Sequence, residues 1–199
     1  MSSATKGFAP WRVARVAHVL GTLAASLMVC AGAHAAEVYS QVRPGAEVSF
    51  QAKQMGVPMK GHFATVQAQV HFAPQDLKHS RVEVTVQAAS VDAGSSQTND
   101  LLRGADWLDA KAFPQARFVS TGFVPAGAGR YWASGNFTVR GATRALRVLV
   151  TTHAAGPALA MDADFQLDRS AYGLGGGSWA DTSVVAAMIP VHVHLLVAP

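Results

Sequence analysis

Beyond residue 36 the chain alternates apolar and polar residues with a period of two, and nothing else in it constrains the fold as strongly. Successive side chains of an extended strand point to opposite faces, so such alternation builds sheets with one buried face. Val66, Ala68, Val70 and Phe72 alternate with Gln67, Gln69 and His71, and Val82, Val84 and Val86 with Arg81, Glu83, Thr85 and Gln87. Tyr131 to Arg140, Leu146 to Thr151 and Leu159 to Asp168 repeat the pattern. Further strands are expected around 47–53 and 115–124, and a last one over 184–197 is apolar on both faces for part of its length. The expectation is about eight strands. Turn chemistry separates them at Pro74-Gln75-Asp76, Pro125 to Gly129, Gly141-Ala142, Gly156-Pro157 and Gly173 to Gly177. Only residues 98–110 carry helical spacing, with Leu101, Leu102, Ala105 and Leu108 on one side and Ser96 or Thr98 as cap. With no internal repeat or linker, the chain reads as one all-β domain with a helix after the third strand. Barrel and sandwich both satisfy the pattern. Small inward residues (Ala64, Ala68, Ala88, Ala133, Gly135, Ala163, Ala187) suit an incompletely filled barrel or two closely packed sheets.

The formal net charge of +4 misleads until it is divided. Residues 1–35 hold Lys6, Arg12 and Arg15 and no acid, so the remainder has 13 basic against 12 acidic residues. No basic stripe can be built from that balance, which excludes nucleic acid as a partner. The leader itself has a positive start, a short apolar run over 19–29, and Ala33-His34-Ala35 as a small-x-small cleavage pattern. It predicts a cleaved signal peptide over 1–35, a folded domain over 36–199 and a periplasmic location. An uncleaved anchor and lipidation at Cys30 are the rivals; the apolar run is short for the first and Val29 is too large for the second. Cys30 is the only cysteine, so the exported chain would have neither thiol chemistry nor disulfides.

Several local patterns recur in a set order: Ala89-Ser90-Val91-Asp92-Ala93-Gly94; Asp100-Leu101-Leu102-Arg103; Asp106-Trp107-Leu108-Asp109; and Phe113-Pro114-Gln115-Ala116-Arg117-Phe118-Val119-Ser120. Gly135-Asn136-Phe137-Thr138-Val139-Arg140-Gly141-Ala142-Thr143-Arg144 and Arg169-Ser170-Ala171-Tyr172-Gly173 follow. Together, over residues 41–197, they resemble the YceI family of bacterial polyisoprenoid-binding, lipocalin-like proteins. The resemblance implies an eight-stranded antiparallel lipocalin-like barrel, flanked by a helix, whose apolar interior holds a long amphiphile. A polyisoprenoid, an isoprenoid quinone or a fatty-acid derivative would be bound without chemistry, and no cofactor is required. Two positions depart from the family's pattern. Asn99-Asp100-Leu101-Leu102 stands where an arginine-aspartate pair with a nearby histidine is usual, and Asn136 stands where an aspartate is common. Polar head-group contacts of relatives therefore do not transfer.

The inward set supplies candidate ligand-lining residues: Phe50, Val66, Phe72, Val84 and Phe118 from the first half of the chain, and Phe137, Met161, Phe165 and Ile189 from the second. Each is equally at home in an ordinary core. Trp107, Tyr172 and Trp179 are candidates for the border of an opening. His192 and His194 share one face of the last strand but supply too few ligands for a metal, and they alternate with Val191, Val193 and Leu195, so they should point outward. Asp162, Asp164 and Asp168 read as a solvated face. The Gly173–Ser178 run lacks the strand–helix setting of a phosphate loop and reads as a flexible connection. With no nucleophile elbow or zinc-binding helix, an enzyme is not expected. The alternative to a carrier is an envelope module docking on a membrane protein with a packed interior. Val184, Ala186, Met188 and Leu196 offer a face for a homodimer.

Overall fold

The structure, a computed structural model, describes residues 37–199, so the leader, its cleavage pattern and Cys30 lie outside the described residues. One antiparallel sheet curls around the core. Its strands are β1 (Gln41–Val42), β2 (Glu47–Gln54), β3 (Val57–Phe63), β4 (Val66–His71), β5 (Arg81–Gln87) and β6 (Val91–Asp92). After helix α1 (Ser96–Arg103) come β7 (Gln115–Gly127), β8 (Arg130–Val139), β9 (Ala142–Ala155), β10 (Ala158–Asp168) and β11 (Met188–Ala198). The order across the sheet is β4-β5-β7-β8-β9-β10-β11-β2-β3-β6, with β1 paired on β11. A bridge between Tyr39 and Phe72 brings the segment before β1, which lies beside β11, against the end of β4 at one edge of the sheet and so curls it.

All eight expected strands are present. The additional ones are the two-residue β1 and β6 and the longer β3. β3 escapes the alternation rule because Pro58, Lys60 and Gly61 interrupt it. Its pairing with β2, from Ser49–His62 to Gln54–Val57, comes from the tight turn at Met55-Gly56. Counting β3, the helix follows the fourth long strand rather than the third. It also starts and ends earlier than its leucine spacing suggests. Ser95, extended at φ −147°, accepts the Thr98 N–H at 3.2 Å and caps the start; Gly104 ends the helix, and residues 105–112 continue as turns. β11 begins at Met188, because residues 184–187 belong to a loop bridged to Gln54 through Val185.

Alternation predicts the inner face well. Val82, Val84 and Val86 of β5, Val148 and Val150 of β9, and Met161, Ala163, Phe165 and Leu167 of β10 all face the interior. Gly135 of β8 has a specific task there. A Cβ on it would lie 2.5 Å from Cζ of Phe118, so the missing side chain is what lets that ring lie across the strand.

Candidate functional site

The interior packs as two clusters with a gap between them. At one end Val70, Phe72, Phe123, Met161 and Val197 form a plug, with Phe72 fully buried and edge-on to Phe123 at 5.5 Å and Tyr131 at 5.1 Å. At the other end Val86, Trp107, Ala116, Leu174, Val185 and Ile189 pack beneath α1 and the loop over residues 170–187. Between them runs a cavity of about 220 Å³. Ile189, Val191, Val193 and Leu195 of β11 all line it, a run of strand spanning about 20 Å. The cavity is therefore long and narrow. Gln54, Lys60, Thr98 and Arg169 are its polar wall residues apart from the tryptophans, and among the described residues no carboxylate or imidazole lines it. Because Lys60 and Leu101 are both lining residues and exposed, they mark where it meets solvent. That mouth lies between the β2–β3 hairpin and α1.

Seven of the nine candidate lining residues are in the wall: Phe50, Val84, Phe118, Phe137, Met161, Phe165 and Ile189. Phe72 is not, because it is the centre of the plug. Val66 is not either; it faces inward but is spent on packing against the Val86 and Ala116 cluster, opposite Val86 in register. Of the three border residues, Trp107 and Trp179 line the cavity with their rings 6.0 Å apart, Trp107 buried under the loop rather than at the rim. Tyr172 lies outside the wall, buried edge-on against Phe137 at 5.5 Å with the Arg144 guanidinium 5.8 Å from its ring centre. Burial pushes its phenol above the ordinary value, partly opposed by that guanidinium.

What holds the loop over this end is a set of arginines. Arg169, 1% exposed, donates to the carbonyls of Leu174 (2.9 Å), Trp179 (2.9 Å) and Val185 (2.8 Å). Longer bonds reach those of Gly175, Asp181 and Ala186, and its guanidinium sits 5.6 Å from the Trp107 ring centre. Among the described residues no carboxylate pairs with it; backbone carbonyl dipoles and the Trp107 ring solvate the buried charge. Gly175, at φ +75°, has no Cβ to collide with the Arg169 guanidinium. Arg140 adds bonds to the carbonyls of Gly173 and Ala105, and Arg144 one to that of Ala171. The amides of Gly175 and Gly176 donate to the Asp106 carbonyl at 2.7 and 2.8 Å. The glycine run expected to be a flexible connection is thus pinned on both sides. Arg169 continues the odd-numbered inward series 161, 163, 165, 167 of β10, and that series is the signal by which it could have been recognised.

On the outer face, His192 and His194 point away from the interior as expected, and register supplies the carboxylate neighbours that linear sequence hid. Asp164 accepts from His192 Nδ1 at 2.8 Å and Asp162 from His194 Nδ1 at 2.6 Å, both directly across β10–β11. Among the described residues no group of three or more His, Cys, Asp or Glu is disposed to hold a metal ion.

A curled antiparallel sheet with one short helix and a long apolar cavity defines a lipocalin-like class of binding fold. The YceI-like domain model matches residues 39–197, and the chain belongs to that family. Among solved structures it is similar to the Burkholderia cenocepacia BcnA, at 38% identity and a TM-score of 0.74 over 76% of this chain and 95% of that one. A polyisoprenoid-binding domain from Saccharophagus degradans shares the fold at 12% identity and a TM-score of 0.63, over 82% of this chain and 99% of that one. A UPF0312 protein of Serratia proteamaculans is 31% identical over 63% of this chain and 67% of its own length.

Proposed function

We propose that the chain carries or sequesters a single long-chain amphiphile in the cell envelope, held in the cavity and left chemically unchanged. The observation that carries this reading is the cavity itself. A volume of about 220 Å³ drawn out along about 20 Å is a narrow bore. It suits an extended polyisoprenoid tail, the side chain of an isoprenoid quinone or a fatty acyl chain better than a compact fused-ring ligand. An apolar tail withdrawn from water into it contributes roughly 25 cal/mol per Å² of surface, and shape and apolarity alone are enough to capture that. Gln54, Lys60 and Thr98 stand at the mouth, where a polar head would lie. The wall offers no acid–base pair for chemistry on the ligand. A packed interior, which a pure docking module would have, does not agree with this gap. The periplasmic setting rests on the leader: its positive start, short apolar run and Ala33-His34-Ala35 pattern are those of a signal peptide cleaved before Ala36.

Mass spectrometry of the exported protein, purified without detergent and measured under native and then denaturing conditions, tests the proposal. A stoichiometric polyprenyl, quinone or acyl species that departs on denaturation is expected. Ala163→Trp, which fills the bore from its wall, should abolish that species. A wild-type protein that is empty, and stays empty when offered these lipids, refutes carriage.

A further inference from the structure

The mouth has an unusual rim. Among the described residues the two most exposed large hydrophobic side chains, Met55 (77% exposed) and Val57 (64%), sit together at the tip of the β2–β3 hairpin with Leu101 (36%) on the facing helix, whereas Val124 on β7 and Met188 on β11 are exposed singly. Leu101 lines the cavity itself, and Met55 and Val57 lie in the chain between the wall residues Gln54 and Met59. Met55 is also the costlier choice for the backbone. It takes φ +50° and Gly56 φ +82°, the turn geometry for which Asn-Gly is the usual pair. An unbranched apolar side chain held at positive φ and pushed into water contributes nothing to folding, and such outliers gather at working surfaces. Electrostatics names the partner. From Val48 to Gln75 the chain has no carboxylate, while Lys53 and Lys60 are exposed on the same hairpin. On the bordering helix Asp100 is paired with Arg103.

We propose that this tip docks on an anionic phospholipid surface, Met55 and Val57 entering the acyl boundary and the two lysines meeting phosphates, so that the cavity mouth opens directly onto the bilayer. The inference rests on the amphiphile-carrier reading and deepens it. A chain passing between bilayer and bore would otherwise cross water with its apolar surface exposed. Apolar anchors with flanking lysines are the chemistry of interfacial membrane binding. A second copy fits less well, because a two-fold contact through the tip would bring like charges together.

The test is sedimentation of the protein with vesicles of phosphatidylglycerol and phosphatidylethanolamine, beside uptake of a fluorescent fatty acid in the absence of vesicles. Met55→Asn/Val57→Thr relieves the positive-φ cost and keeps a strand-forming residue, so its fold is safe. Wild type should sediment with the anionic vesicles and release as salt rises. The double variant should bind them about tenfold or more weakly, and Lys53→Gln/Lys60→Gln should flatten the salt dependence. The Met55→Asn/Val57→Thr variant, whose two positions lie outside the cavity wall, should take up the fatty acid in solution like wild type. Failure of wild type to sediment, or equal sedimentation of wild type and the double variant, overturns the docking proposal. Sedimentation of wild type without any uptake of the fatty acid leaves docking supported and counts against carriage instead.

Discussion

Replacing Arg169 by methionine isolates the latch that holds the loop over the α1 end of the cavity. Three short bonds, to the carbonyls of Leu174, Trp179 and Val185 at 2.8–2.9 Å, carry most of its attachment. Bonds from a charged donor contribute about 1.5–3 kcal/mol each, so the three together reach roughly 5–9 kcal/mol gross. Against that stands the desolvation of a guanidinium with no carboxylate partner, several kcal/mol that the substitution relieves. The loop carbonyls can also turn to water once released. A net loss of about 3 kcal/mol is expected, which for a domain of this size lowers Tm by roughly 6–12 °C. Arg169→Lys should lose nearly as much, because one ammonium cannot span carbonyls that lie on different sides of a planar fork. Thermal and urea unfolding followed by circular dichroism measure the loss, and hydrogen exchange locates it. Amides over residues 174–186 should exchange far faster, while those of β8 to β10 stay protected. A methionine variant within about 1 kcal/mol of wild type, or one whose loop amides remain protected, would show that apolar packing holds the loop and that the bonds merely accompany it.

Three more expectations follow from single observations. Trp107 Nε1 is buried without a partner, so Trp107→Phe should cost no more than about 1.5 kcal/mol by urea unfolding, whereas Trp107→Ala should cost about 3–5 kcal/mol. Gly135→Ala places a methyl on the Phe118 ring and should destabilise by about 1–3 kcal/mol while weakening uptake of a fluorescent fatty acid, since the displaced ring lines the bore. Glu83 is held below its ordinary value of 4.5 chiefly by its hydrogen bonds from Arg117, at 2.6 Å each. A depressed carboxylate adds stability above its unfolded pKa and loses it as pH falls through the folded one. The stability difference between wild type and Glu83→Gln should therefore be constant above about pH 5 and shrink as the pH drops below 4.5. A difference that grows on acidification would contradict the pairing.

Which side of each strand faces inward is legible in the amino-acid sequence, because that choice is local: a period of two is written residue by residue and survives any arrangement of the strands. It therefore identified Phe50, Phe118, Phe137, Phe165 and Ile189 as interior, and the outward turn of His192 and His194. Ordered short motifs pointed to the family for the same reason, since each is a contiguous stretch. Which interior residues surround empty space emerges only when the strands pack. Phe72 and Phe118 carry the same pattern in sequence, yet one is the plug and the other the wall, because Phe72 is bridged to Tyr39 and packed edge-on by Phe123 and Tyr131, whereas Phe118 on β7 faces the cavity. β3 was hidden because a turn and a partner strand, rather than its own alternation, hold it in place. The Arg169 latch was hidden because its acceptors are backbone carbonyls up to 17 residues away, which carry no side-chain signature. The rim of Met55, Val57 and Leu101 exists only where the hairpin and helix meet, joined by long-range pairing that no window of sequence contains.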